Sequence, residues 1–283
     1  MAFDKLTGIS AITIVIAAAA MIALCVVFIV FRVRESDLTS YDLTTRPMRL
    51  GDLSAAAEVK GDRIPPTVRG SDFSYSFWLY IANFDPLAAD DKARAVFFRG
   101  DQAAATPAAQ TPFSPIVALD NDANRLKVLI KTTASRADLD VEQIIADPRA
   151  AGWVVATVEY MPLQRWVNIV VTVKGTKVVV YLDGDMYTME SSSFLNDAPA
   201  AAAAGISNLA GVLPSETSGS VFVGNMSPDA KSIDGTLTKL QFFNYALERD
   251  DVRTLYLEGP QKRTLMASLG LSSYGLQAPI YKS

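Results

Sequence analysis

The densest group of hard oxygen ligands in the chain is Asp120-Asn121-Asp122-Ala123-Asn124. Oxygens at alternate positions match the opening of a loop that wraps one cation, so Asp120, Asp122 and Asn124 are candidate calcium ligands. A twelve-residue calcium loop also needs glycine at its sixth position and a bidentate glutamate at its twelfth. Arg125 and Lys131 stand there instead. The competing reading is a hairpin turn, because Asp and Asn tolerate left-handed backbone and bond locally. A second carboxylate group, Glu248-Arg249-Asp250-Asp251, stands where a helix begins, and negative charge suits the dipole there.

The rest of the inventory is spare. Histidine is absent, which removes the usual general base and the Ser-His-Asp and Cys-His nucleophile systems. The single cysteine, Cys25, lies in an apolar run, so zinc sites built from Cys and His are excluded, as are disulfides. There is no phosphate loop of the G-x-x-x-x-G-K type and no G-x-S-x-G elbow. A net charge of -4 gives no basic field for nucleic acid. These residues point to a non-enzymatic protein with no cofactor beyond the calcium candidate.

The elements that would position these groups are strands. In Arg165 to Asp185, Val167, Ile169, Val171 and Val173 share one face and Trp166, Asn168, Val170 and Thr172 the other, because strand side chains alternate. Val178, Val180 and Leu182 repeat the pattern after Lys174-Gly175-Thr176. Asp183-Gly184 is a type I′ hairpin signal. Phe73 to Ile81 alternates as cleanly, with Phe73, Tyr75, Phe77, Leu79 and Ile81 on one face. Further strands are expected at Ala95–Arg99, Ile116–Leu119, Arg125–Thr132, Gly152–Met161, Ser220–Gly224 and Gly235–Asn244. A short helix is expected at Glu248–Glu258, stopped by Gly259-Pro260, with Val252, Leu255 and Tyr256 on its docking face.

Two of these stretches carry a family resemblance. The pattern W-x-x-[IV]-x-V-T, a turn and V-x-x-Y-x-D-G occupies Trp166 to Gly184. Gly235, Leu237, Leu240, Phe243, Ala246, Leu247, Asp251, Val252, Leu255 and Tyr256 carry a second pattern. Together they resemble the laminin-G-like members of the concanavalin A-like lectin/glucanase superfamily over roughly Asp72 to Pro260. The resemblance implies an all-β fold, a jelly-roll sandwich of two antiparallel sheets, and it leaves chemistry open because one fold hosts many functions. Relatives that bind calcium on rim loops keep the Asp120 turn of interest. The E-x-D-x-x-E strand of the superfamily's glucanases, which pairs an acid with a nucleophile, does not occur here.

Placement is the other strong signal. Ile9 to Phe31 is a run of 23 residues without a charge, against about 20 needed to cross a bilayer. It reads as a transmembrane helix preceding the sandwich, and it exceeds the roughly 7–15 residues of a signal-peptide core. Lys5 precedes it, whereas Arg32, Arg34, Arg46 and Arg49 follow, so the positive-inside tendency puts the large C-terminal part on the cytoplasmic side. The expected division is a short segment at 1–8, the membrane helix at 9–31, a juxtamembrane stalk at 32–70 with an early strand near Met48 to Leu53, the sandwich at 71–260 and an apolar tail at 261–283. In the tail, Leu265, Met266, Leu269, Tyr274 and Tyr281 are partner-binding candidates.

Two functions fit. One is a structural or interaction module, tethered to a lipid bilayer and linking it to a protein assembly. Its layout is similar to that of membrane proteins of large icosahedral DNA viruses, and this resemblance implies a virion location between inner membrane and capsid shell. The alternative is a membrane-anchored lectin at a cell surface, where Trp78 or Trp153 would stack on a glycan.

Overall fold

The computed structural model describes residues 13–28, 39–44, 46–52, 57–66, 72–88, 93–100, 113–133, 135, 139, 143–144, 147, 151–191, 219–226 and 230–260. Among the described residues thirteen strands form two antiparallel sheets. In chain order they are β1 (Ser40–Asp42), β2 (Met48–Arg49), β3 (Ala57–Val59), β4 (Phe73–Ile81), β5 (Arg94–Gly100), β6 (Phe113–Leu119), β7 (Leu126–Lys131), β8 (Trp153–Val158), β9 (Trp166–Lys174), β10 (Lys177–Leu182), β11 (Asp185–Ser191), β12 (Ser220–Val223) and β13 (Gly235–Phe243). The first sheet runs β1-β13-β4-β9-β10-β11, with β2 also on β13, and the second runs β3-β12-β5-β6-β7-β8.

The alternation in the sequence decides which faces meet. Phe73, Tyr75, Phe77, Leu79 and Ile81 from β4 join Val167, Ile169, Val171 and Val173 from β9 in one core with Val96, Phe97, Val117, Leu119, Val128 and Val154 of the second sheet. Phe77 and Phe97 meet edge to face across the gap, with ring centroids 5.2 Å apart. The molecule is therefore a β-sandwich. The hairpins turn as their residues require: Asp183 and Gly184 have φ of 51° and 88°, the left-handed pair of a type I′ turn.

Both outer faces are also covered. On the first sheet, Val170 and Phe243 pack with Leu247 and with Val252, the latter on a helix at Arg249–Glu258. On the second, Phe98, Ile116, Leu129, Trp153 and Phe222 pack with Ile144 and Leu139 from the β7–β8 connection.

The expected stalk at 32–70 carries a strand at Met48–Arg49, within the stretch where one was expected, and two more that were not expected. Three short strands fall within 32–70: β1 and β2 pair with β13, and β3 with β12. Segments this short have no readable periodicity, and the edges of β13 and β12 supply the hydrogen bonds that make them strands. Likewise Asp185–Ser191, where no strand was expected, is a full strand paired with β10.

Residues 13–28 form a helix, α1, and Arg249–Glu258 is α2. Sixteen helical residues rise about 24 Å, against a hydrocarbon core of about 30 Å. Among the described residues no helix is long and apolar enough to cross a membrane. The ends of the expected span, at 9–12 and 29–31, lie outside the described residues, as do the whole tail and its candidates Leu265, Met266, Leu269, Tyr274 and Tyr281.

Candidate functional site

The calcium candidates sit on one rim of the sandwich. Residues 120–125 make the tight turn between β6 and β7, closed by the Asp120 amide donating to the Arg125 carbonyl at 2.9 Å. The turn is held from below by Arg94, the first residue of β5, which is only 4 % exposed. Its Nη2 donates to the carbonyls of Asp120 at 2.5 Å and Asn121 at 3.4 Å, and its Nη1 to the carbonyl of Asp85 at 3.1 Å. The guanidinium also lies 4.6 Å from the Phe84 ring centroid, a favourable cation–π distance. One buried cation thus joins the segment after β4 to the β6–β7 turn, and the Leu87 amide reinforces the link by donating to the Asn121 carbonyl at 2.8 Å.

The β8–β9 connection completes the rim. Asn124 Nδ2 donates to the Met161 carbonyl at 2.5 Å, and the Met161 amide returns a bond to the Asn124 carbonyl at 3.0 Å. Beyond it Arg165 pairs with Asp183 at 2.7 Å, and Asp183 Oδ1 accepts from the Asn168 amide.

The electrostatics of the 120–125 turn are those of a compensated ion cluster. Asp120 Oδ2 lies 2.8 Å from Lys127 Nζ and 3.0 Å from Arg125 Nη2, and Asp122 Oδ1 lies 3.1 Å from the same Arg125 nitrogen. Burial opposes the charge on Arg125, but Asp120, Asp122 and Glu159 together outweigh it and hold its pKa above the ordinary value. Among the described residues no three Asp, Glu, His or Cys side chains are grouped so as to hold a metal ion. The structure brings Asp120 and Asp122 together around an arginine; of the Asn124 amide it commits Nδ2 to the Met161 carbonyl, while Oδ1 is buried without a hydrogen-bond partner among the described residues.

The carboxylates at 248–251 are a helix start. The Glu248 side chain accepts from the N3 amide while Asp251 Oδ2 accepts from the Glu248 amide at 3.1 Å, a reciprocal capping box. Neither tryptophan offered for sugar stacking presents a free face: Trp153 is fully buried, and Trp78 is 5 % exposed beneath Tyr256, with the rings stacked at 5.9 Å.

Sequence reasoning missed Arg94 and its counterpart Arg99. The latter is buried at the far end of β5, where it donates to the Tyr75 hydroxyl and the Gly219 carbonyl. The signal for both was an arginine at each end of an apolar run, R-A-V-F-F-R. A second missed feature is the open edge β11, where Met186 (62 %), Tyr187 (42 %) and Met189 (51 %) are exposed.

Neither a protein-family model nor a curated protein matches the sequence. Solved structures do. The binding domain of botulinum neurotoxin DC in complex with SialylT matches with a TM-score of 0.41 at 11 % identity, over 66 % of this chain and 35 % of that one. The botulinum neurotoxin type G receptor binding domain matches with a TM-score of 0.40 at 13 % identity, over 66 % and 38 %. The serotype C1 binding domain matches with 0.41 at 14 %, over 68 % and 37 %. This chain therefore spans little more than a third of the length of each.

Proposed function

We propose that the protein is a membrane-anchored, non-enzymatic interaction module. In this reading α1 is the core of a single-pass anchor, and the laminin-G-like sandwich sits on the cytoplasmic side. There it links the bilayer to a protein assembly such as a viral capsid shell.

The observation that carries the reading is the surface of α1. Ile14, Val15, Ile16, Met21, Ile22, Leu24, Val26, Val27 and Phe28 are each 50–70 % exposed. Consecutive positions 100° apart place them around the whole circumference, so no polar face remains for water. Burying nine such side chains is worth roughly 15–25 kcal/mol at about 1.5–3 kcal/mol each. The flanks at 9–12 and 29–31 add no charge, so the uncharged run in the sequence is 23 residues, against about 20 needed to cross a bilayer.

Alkaline carbonate extraction and flotation of producing-cell membranes test the anchor. The full chain is expected to float with lipid, and an Ile16→Lys, Leu24→Lys variant to be released. Recovery of the wild-type chain in the soluble fraction overturns the proposal. For orientation, a glycosylation acceptor engineered between residues 101 and 112 is expected to stay unmodified, and its modification would reverse the topology. The assembly role predicts that the chain co-purifies with particles after detergent-free lysis, and its confinement to cell membranes would defeat that part.

A further inference from the structure

We propose that the open edge of the first sheet, β11, is the docking strand for this chain's own C-terminal segment, residues 261–283. Among the described residues β11 ends the strand order, with β10 its only paired neighbour. An open edge is a template for another extended segment. Met186 and Met189 pair with Tyr181 and Val179, on the face that carries α2, and leave an apolar strip beside that helix. The strand bears Asp185 and Glu190 and no cation.

Charge selects the occupant. Residues 192–218, which follow β11 directly, contain Asp197 and Glu216 and no lysine or arginine, so they meet the edge with like charge. A second copy of β11 laid antiparallel would set Asp185 near Glu190, which is also repulsive. Residues 261–283 contain Lys262, Arg263 and Lys282 and no acidic side chain. They also carry the pattern of an edge strand: Leu265, Ala267, Leu269 and Leu271 alternate with Met266, Ser268, Gly270 and Ser272.

The starting point is well placed. The Tyr256 ring lies against the turn that opens β11, where a Cβ added at Gly184 would stand 3.3 Å from Tyr256 Cδ1. Arg249 Nη2 is 3.8 Å from Asp185 Oδ1. From Glu258, where α2 ends, to Lys262 an extended chain covers about 13–14 Å, the span available to carry Lys262 and Arg263 toward Asp185. The segment would then run parallel to β11 and place its leucines beside Met186 and Met189.

Hydrogen exchange read by mass spectrometry on the full chain in detergent tests this directly. In a Lys262→Glu, Arg263→Glu variant, and separately in a Leu265→Asp, Leu269→Asp variant, the amides of 185–191 are expected to exchange about tenfold faster than in wild type. Amides of β9 should be unchanged, which verifies the fold. Equal rates at 185–191 in all three chains overturn the proposal. Protection of 185–191 that disappears on tenfold dilution also overturns it, since the occupant would then come from a second copy. The inference does not rest on α1 entering a bilayer, so carbonate extraction and hydrogen exchange can fail independently.

Discussion

Replacing Arg94 by methionine probes the rim most directly, because a single buried cation holds three carbonyl groups there. The two shorter bonds, 2.5 Å to Asp120 and 3.1 Å to Asp85, are charge-assisted and worth roughly 1.5–3 kcal/mol each. Their loss gives a gross penalty of about 3–6 kcal/mol, and Phe84 loses its cation as well. Removing the guanidinium also removes its own burial cost, and methionine refills much of the space. The net destabilisation is expected to be about 2–4 kcal/mol. With a urea m-value of roughly 2 kcal/mol/M, the unfolding midpoint should fall by about 1–2 M. The loss should be local first: the Leu87 amide, bonded to the Asn121 carbonyl, should exchange faster well before amides in β9 do. Arg94→Lys keeps the charge but not the planar fork, and should fall between wild type and methionine. A methionine variant whose midpoint stays within about 0.3 M of wild type, with the Leu87 amide unchanged, would refute the idea that Arg94 organises the rim.

Four further outcomes follow from the same geometry. Gly61→Ala would place a Cβ 2.2 Å from the Gly219 carbonyl oxygen, and since the obstacle is backbone the change should cost about 1–3 kcal/mol in urea unfolding. Trp153→Ala, in the fully buried second core, should cost about 3–5 kcal/mol, so any loss of glycan binding in such a variant would reflect unfolding. Burial raises the phenol pKa of Tyr181, with Glu248 adding to it, and burial raises that of Tyr245, with Asp251 adding to it. Because the folded values exceed the ordinary 10.0, their contribution to stability is complete below that pH and is lost as pH rises through the folded values; Tyr181→Phe should lessen the alkaline loss. Calorimetric titration with calcium should give no heat from the wild-type 120–125 turn, where Lys127 and Arg125 occupy Asp120, and measurable heat would reverse that expectation.

What the sequence made legible is what repeats along it. Phe73 to Ile81 and Arg165 to Leu182 announce their inward faces because side-chain direction in a strand has a period of two, and the faces read there are the ones buried. Local chemistry was legible too, at the Asp183-Gly184 turn and at the Glu248–Asp251 helix start. The candidate site was legible only as composition. Asp120-x-Asp122-x-Asn124 proposes oxygens around a cation, and the cations present are Arg125, directly next in sequence, and Lys127, on the same strand face as Arg125 by the alternation. The charge at the sixth loop position, already an objection to calcium, is what answers the aspartates. Arg94 and Arg99 were hidden for a different reason. Their partners are carbonyls and a tyrosine hydroxyl 9 to 120 residues away in sequence, and carbonyl groups carry no sequence signature. Of the short strands within 32–70, β2 falls where an early strand was expected near Met48, while β1 and β3 belong to the same hidden class, since their pairing comes from the edges of β13 and β12. Those same two strands receive the short strands of 32–70, while β11, at the other end of the first sheet, pairs only with β10 among the described residues and is tied to the second sheet where the Glu159 amide donates to the Tyr187 hydroxyl. The first sheet thus ends in β1, from the 32–70 stretch, on one side and in β11 on the other. Among the described residues β11 is thus one of four strands that end a sheet, with β1, β3 and β8, and it is the one whose exposed methionines, Met186 and Met189, lie beside α2.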